Sequence, residues 1–197
     1  MKYLKHIKMF ESNLDYKIDI FTIDEAYNFF YKNFYKKNKD CNLKDKIHYF
    51  NYEDFNSMFA SNLYKKTCRL IIAHNDKDIL GICKFAYWEG SENYAISYLS
   101  TNKDFFSMGI SKKLLETLFK YFSETYPNET LNFSGYSVEG WKYLRKSILY
   151  FSNKYNVKIK EKGIEYPGAD GIKTDFYDLV SKSREEIKKM YGSDSYY

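Results

Sequence analysis

The sequence predicts a single α/β domain, layered in the α+β manner, with a mixed, mostly antiparallel sheet of six to seven strands flanked by helices. Three observations carry this expectation. The 197 residues suffice for one buried core and fall short of two. Apolar runs of strand length are interspersed with stretches in which apolar residues recur at helical spacing. Residues 99–115 take a short apolar strand through a small-residue turn into an amphipathic helix.

In chain order, Ile18, Ile20 and Thr22 fit a short strand, and Thr22-Ile23-Asp24-Glu25 is a capping box. The box opens a helix with Ala26, Phe29, Phe30 and Phe34 on its apolar face, ended by the lysine-rich run 36–39. A polar connection holding Cys41 and His48 leads to a second helix that starts at Asn51 or Tyr52. Its acids Glu53 and Asp54 come first and its bases Lys65 and Lys66 last, the order a helix dipole favours. Residues 69–74 and 79–88 are continuous apolar runs joined by Asn75-Asp76-Lys77-Asp78, which reads as a hairpin. A third strand covers 94–101, and the helix after it carries Ile110, Leu114, Leu118 and Phe122, with Leu115 and Phe119 alongside. Pro127 and Asn128 end that helix. Residues 130–136 form a further strand, Ser137 caps a helix with Trp141, Leu144, Ile148, Phe151 and Tyr155 on one stripe, and 157–160 is the next strand. The glycines and Pro167 of 163–171 mark a loop before a last strand at 174–180. The domain is expected over 1–180, with a short N-terminal extension at 1–15 and a polar tail at 181–197 that holds a short helix near 184–191.

Composition narrows the functional classes. With 22 Tyr and 16 Phe, the core must be built largely by ring packing. The net charge of +5 arises from 31 basic and 26 acidic residues, well mixed, so a large polyanionic partner is allowed and not demanded. Cys41, Cys68 and Cys83 are odd in number and lack metal or redox spacing, which predicts reduced thiols in a cytoplasmic setting. Lys2, Lys5 and Lys8 precede no apolar run of signal-peptide length, so neither export nor a membrane span is expected. His6, His48 and His74 are isolated from one another, and no metal site is expected; His74, at the hairpin turn, reads as structural or exposed.

The turn at 101–112 has an anion-binding layout. It brings Ser107, Gly109 and Ser111 to the first turn of a helix, where four backbone N–H groups lack intrahelical partners and can point at phosphate. Lys112 and Lys113 each cost a few tenths of a kcal/mol at the positive end of a helix dipole unless a negative ligand sits there.

The order strand, helix, helix, three antiparallel strands, helix, strand, helix, strand, strand resembles the GNAT superfamily, the Gcn5-related N-acetyltransferases, over residues 16–180. That resemblance implies an acyl-CoA N-acyltransferase-like fold and transfer of an acetyl group from acetyl-CoA to an amine. The family marks its pyrophosphate loop with Gln or Arg, two free positions, Gly, a free position, and Gly or Ala. The matching residues here are Phe106-Ser107-Met108-Gly109-Ile110-Ser111. Gly109 fits, Ser111 is a small substitute, and Phe106 departs by removing a polar side-chain contact while leaving the backbone cradle intact. The resemblance further implies that Leu99, Ser100 and Thr101 pair with the pantetheine arm as an added strand, and that Lys112 flanks the pyrophosphate. The family often has an Asn after the next strand and a Tyr about seven residues later that protonates the departing thiolate. Here Ser137 occupies the turn and Tyr143 follows six residues on, so Ser137 is the expected cofactor contact and Tyr143 the expected general acid.

Transfer to an amine also needs a route for a proton. An amine of pKa near 10 gives up its proton at neutral pH at a cost on the order of 4 to 5 kcal/mol. Glu89 and Glu92, which flank the turn before the third strand, are the candidate bases. A covalent cysteine route is disfavoured because Cys68 and Cys83 fall in the hairpin strands and Cys41 in a remote connection. The sequence therefore reads as a cytoplasmic acetyl-CoA-dependent N-acetyltransferase, monomeric or homodimeric, acting by direct attack in a ternary complex on a small-molecule or protein amine. Two alternatives stand beside it. One is a catalytically inactive GNAT-like module for CoA binding or protein interaction, suggested by the missing Gln or Arg and the missing Asn. The other is a nucleic-acid binder, suggested by lysines interleaved with Tyr and Phe over 27–39.

Overall fold

The computed structural model describes residues 15–30, 32, 67–75, 77–89, 92–133 and 138–161. Six strands form one sheet in chain order: β1 (Lys17–Thr22), β2 (Arg69–His74), β3 (Ile79–Trp88), β4 (Asn93–Thr101), β5 (Thr130–Phe133) and β6 (Lys158–Glu161). β1 to β4 are antiparallel, β5 runs parallel to β4, and β6 runs parallel to β5. With the helices α1 (Ile23–Phe30), α2 (Ile110–Thr125) and α3 (Val138–Tyr155), this is the mixed sheet with flanking helices that the sequence predicts. The expected second helix, the loop at 163–171, the last strand at 174–180, the tail helix, and Cys41, His6, His48 and Ser137 lie outside the described residues.

The capping box forms as its residues dictate. The Thr22 N–H and hydroxyl both donate to Glu25 Oε2 at 2.8 Å, and the Glu25 N–H donates back to Thr22 Oγ1 at 3.3 Å. The backbone bond from Thr22 is the main cause that holds the Glu25 carboxyl below its ordinary range. α1 then buries Ile23, Ala26 and Phe30 against Leu70, Ile72, Ile79 and Ile82 on one face of the sheet. Beside it, His74 Nε2 lies 2.8 Å from Asp19 Oδ2, and its ring stands 4.6 Å from Phe29. His74 thus ties β2 to β1 and has a structural place.

α2 and α3 cover the opposite face. Ile110, Leu114, Leu115, Leu118, Phe119 and Phe122 are all buried there, as the spacing of four predicts, together with Ile148 and Phe151 of α3. Each fully buried side chain of this kind contributes roughly 2 kcal/mol, far more than the few tenths that either lysine costs at the helix start. Packing therefore decides where α2 lies. Glu116 of α2 accepts from Lys154 Nζ of α3 at 2.8 Å, which joins the two helices at their surface.

Gly81 on β3 sets how closely α2 can approach. A Cβ built there would lie 3.0 Å from Ile110 Cγ2, Leu114 Cδ1 and the Ser100 carbonyl oxygen. We expect Gly81→Val to lower stability by about 3 kcal/mol, through overpacking against backbone and a buried helix. The melting temperature should fall by roughly 5 to 10 °C. An unchanged melting temperature would show that α2 is not seated on β3 this tightly.

Two boundaries differ from the sequence reading. The strand expected at 130–136 is described only as Thr130–Phe133, with 134–137 outside the described residues. The strand expected from Val157 starts at Lys158, because Val157 closes the end of α3. Its N–H donates to the Ser152 carbonyl at 3.0 Å, its carbonyl accepts from Ser152 Oγ at 2.8 Å, and Asn156 takes a left-handed φ of 53°.

Candidate functional site

Among the described residues the pairing of β4 with β5 is short: Tyr94 and Ala95 lie opposite Leu131 and Asn132, while β4 continues to Thr101 and β5 to Phe133. The cause lies in β4. Its register against β3 slips between Lys84 and Phe85, which face Tyr98 and Ile96, so Ser97 is an extra residue. Such a bulge bends its strand and sharpens the twist, here at the point where β4 leaves β5. From Ile96 onward β4 has β3 on one side and no strand on the other among the described residues. Leu99, Ser100 and Thr101 belong to this stretch and are half-buried.

The turn that follows is anchored from below by Asn102. It is wholly buried, donates from Nδ2 to the Ile79 carbonyl at 2.9 Å and from its backbone N–H to the Leu80 carbonyl at 2.8 Å. Its Oδ1 accepts from the Asp104 N–H at 3.0 Å, which caps a single 3-10 turn at Lys103–Phe105. The sequence reading has a small-residue turn between the strand and the helix but does not single out this 3-10 turn within it. Asn two residues before Asp104 is an Asx-turn pattern, the signal that could have disclosed it.

Beyond the 3-10 turn the backbone takes left-handed conformations at Ser107 (φ 67°) and Gly109 (φ 74°). Gly109 is the N-cap of α2, and the first intrahelical bond runs from the Lys113 N–H to its carbonyl at 3.1 Å. The N–H groups of Ile110, Ser111 and Lys112 precede that bond, so helix geometry leaves them without intrahelical acceptors. Among the described residues no side chain caps this end, and no acid stands in the first turn. A Cβ on Gly109 would meet no heavy atom within 4 Å. Thr101 and Ser111 bond to each other through their hydroxyls, which ties the end of β4 to the start of α2.

Lys113 Nζ lies 3.8 Å from Glu116, whereas Lys112 is exposed and makes no ion pair among the described residues. N–H groups without intrahelical acceptors, an approachable glycine and a lysine with no ion pair among the described residues are the elements an anion-binding corner needs. Phe106 and Met108 belong to the same turn; Phe106 is exposed and Met108 packs partly against the core. The chain thus brings Thr101, Ser107, Gly109, Ile110, Ser111 and Lys112 to one end of the open edge of β4.

The expected catalytic residues lie toward the two ends of β4. Tyr143 sits near the start of α3, which leaves the sheet at the same end as the anion-binding corner because β4 and β5 are parallel, and its ring is 67 % exposed. Glu89 and Glu92 flank the β3–β4 turn at the other end of β4, with Glu92 in a left-handed conformation. The nine residues of β4 separate them from the corner, about 30 Å at strand rise. Along the edge of β4 (Asn93–Thr101), in β5 and over 107–112 there is no Asp or Glu at all. Burial holds the thiols of Cys68 and Cys83 up at about 11 and about 12, which suppresses the thiolate a covalent route would use.

No protein-family model matches the chain, and no curated protein matches it. Solved structures do resemble it. An aminoglycoside acetyltransferase from an uncultured soil metagenomic sample, in complex with trehalose, shares 16 % identity at a TM-score of 0.43, over 77 % of this chain and 94 % of its own. The ribosomal-protein-alanine N-acetyltransferase of Brucella melitensis biovar Abortus 2308 shares 14 % identity at 0.41, over 80 % of this chain and all (100 %) of its own. An integron cassette protein from the mobile metagenome of V. cholerae shares 12 % identity at 0.41, over 87 % of this chain and 100 % of its own.

Proposed function

We propose that this protein is an acetyl-CoA-dependent N-acetyltransferase that acetylates a primary amine by direct attack in a ternary complex. The observation that carries the reading is the continuity of the open β4 edge with the anion-binding corner at its end. A ligand with a diphosphate joined to an arm bearing amide groups fits both parts at once. The N–H groups of Ile110, Ser111 and Lys112, with the Lys112 charge, take the diphosphate, while Ser107, Met108 and the exposed Phe106 line its approach. The free edge at Leu99, Ser100 and Thr101 takes the amides as an added strand would. Acetyl-CoA supplies an activated acetyl group on a thiol that leaves readily, so the chain need only hold it and orient the amine.

Tyr143 is the proton donor to the departing sulfur in this reading, and Ser137 a further contact at the mouth of the fork. Glu89 and Glu92 stand at the turn beside the closed end of the fork, Glu92 three residues before Ala95, and in this reading they take the amine's proton through water. The lack of a carboxylate along the fork also favours a second reading, a module that binds CoA without turnover. The acceptor is a small molecule or a protein amine, and the protein acts as a monomer or homodimer in the cytoplasm.

Thermal unfolding with acetyl-CoA, followed by assay against a panel of primary amines, tests both readings. The panel holds an alkylamine, a polyamine, an aminoglycoside and a peptide amino terminus. Ligand at a hundred times its dissociation constant adds about 2.7 kcal/mol, so the melting temperature should rise by roughly 5 to 10 °C. Release of CoA should follow on adding an amine. A shift without transfer to any amine would leave the binding module, and no shift at millimolar acetyl-CoA would refute both.

A further inference from the structure

At the closed end of the fork lies a side-chain oxygen with no hydrogen-bond partner among the described residues. Asn132 of β5 stands beside Ala95, one of the last two residues of β4 that pair with β5, and is 5 % exposed. Its Oδ1 is buried and has no hydrogen-bond partner among the described residues. Leu131 and Phe133 on either side belong to the core under α2 and α3, so strand alternation puts Asn132 on the other face, that of α1. There it continues a row across three strands, Ala86 paired with Ala95 and Ala95 with Asn132. A buried carbonyl without a partner carries a desolvation penalty, and a native protein that retains one has a use for it.

We propose that the Asn132 side-chain carbonyl receives an N–H of the acceptor amine, holding the nitrogen at the closed end of the fork with its lone pair turned to the thioester. The inference rests on the acetyl-transfer reading. From the anion-binding corner, the edge between Thr101 and Ala95 runs about 20 Å at strand rise, so an arm laid along it brings its far end to Asn132. The new bond joins the amine nitrogen to the acetyl carbon as the carbon–sulfur bond breaks. The sulfur leaves with the bonding pair and takes a proton, and the nitrogen gives its own proton to water. An amide oxygen is too weak a base to take that proton. Asn132 therefore binds and orients the acceptor and does not act as the base.

The test uses the full chain with Asn132→Leu and Asn132→Asp. Leucine keeps the branching at Cγ, with bulkier ends, and removes the unmet carbonyl, so the ligand-free melting temperature of Asn132→Leu should not fall below that of the native chain. With the best acceptor of the amine panel, kcat/KM for the amine should fall at least thirtyfold, while the dissociation constant for acetyl-CoA stays within twofold. Asn132→Asp retains an oxygen acceptor and should recover at least a third of the acceptor kcat/KM. A lower melting temperature for Asn132→Leu would show that the amide serves the fold, and an unchanged acceptor kcat/KM would show that it does not meet the amine. Either result overturns the proposal while acetyl transfer by the native chain stands. Failure of the native chain to bind acetyl-CoA or acetylate any amine overturns the transfer reading itself, and this inference with it.

Discussion

Ser111→Asp should abolish measurable acetyl-CoA binding while leaving the protein folded. The substitution is gentle on the fold for two reasons. An acid in the first turn of a helix is favoured by its dipole, and an aspartate oxygen can still accept from the Thr101 hydroxyl that bonds Ser111 now. The same carboxylate stands among the N–H groups of Ile110, Ser111 and Lys112 and competes with a diphosphate for them. Two like charges about 5 Å apart at an effective dielectric constant of about 20 repel by about 3 kcal/mol. That is a loss of at least a hundredfold in affinity, more where both phosphates feel it. Titration calorimetry on the variant, with its melting temperature as the fold control, gives the answer. Native-like affinity in the variant would show that the diphosphate binds elsewhere.

The second large effect is expected at Asn102, and it falls on stability. Asn102→Asp replaces the Nδ2 donor that bonds the Ile79 carbonyl with a second acceptor, in a side chain with no exposed surface. An ionised carboxylate facing a carbonyl oxygen in that position costs on the order of 3 kcal/mol, so the melting temperature at neutral pH should fall by roughly 10 °C. The loss should depend on pH. Burial raises the aspartate pKa in the folded state, and a protonated carboxyl can again donate to Ile79. The penalty is therefore slight below the unfolded-state value of about 3.9, grows as pH rises above it, and is complete once pH exceeds the raised folded value. Unfolding midpoints of native and variant chains across pH 3 to 8 should separate steadily. A constant gap would mean that Asn102 is not held by the donation to Ile79.

What the sequence disclosed and what it hid divide along the range of the interactions involved. The stripe from Ile110 to Phe122 and the Thr22-Glu25 box are local patterns, and both are present as read. The hairpin of β2 and β3 was legible for the same reason, its turn being held by Asn75, whose Oδ1 accepts from the N–H groups of Lys77 and Asp78. The bulge at Ser97 was not legible, because an extra residue shows only against the register of a partner strand. Nor was the placement of Gly81 under α2, since its neighbours Ile110 and Leu114 are far along the chain. Glu89 and Glu92 were attractive as carboxylates beside a strand that reaches the corner. Residue order already puts them before β4 and the corner after it; what sequence does not show is the pairing of Tyr94 and Ala95 with β5, which places them beside the closed end of the fork. Asn132 gave no sign in sequence, because an amide in a short strand looks the same whether or not its carbonyl is met.

The central claim is that one ligand lies along the open edge of β4 and ends on the uncapped start of α2. Amide hydrogen exchange resolved to single residues, with and without saturating acetyl-CoA, tests it most directly. Slowed exchange is expected at Leu99 and Thr101, whose N–H groups point away from β3, and at Ile110, Ser111 and Lys112, with the β3–β4 turn at Glu89 and Glu92 unchanged. Protection confined to other parts of the chain, or none at these five residues despite saturating ligand, would contradict it.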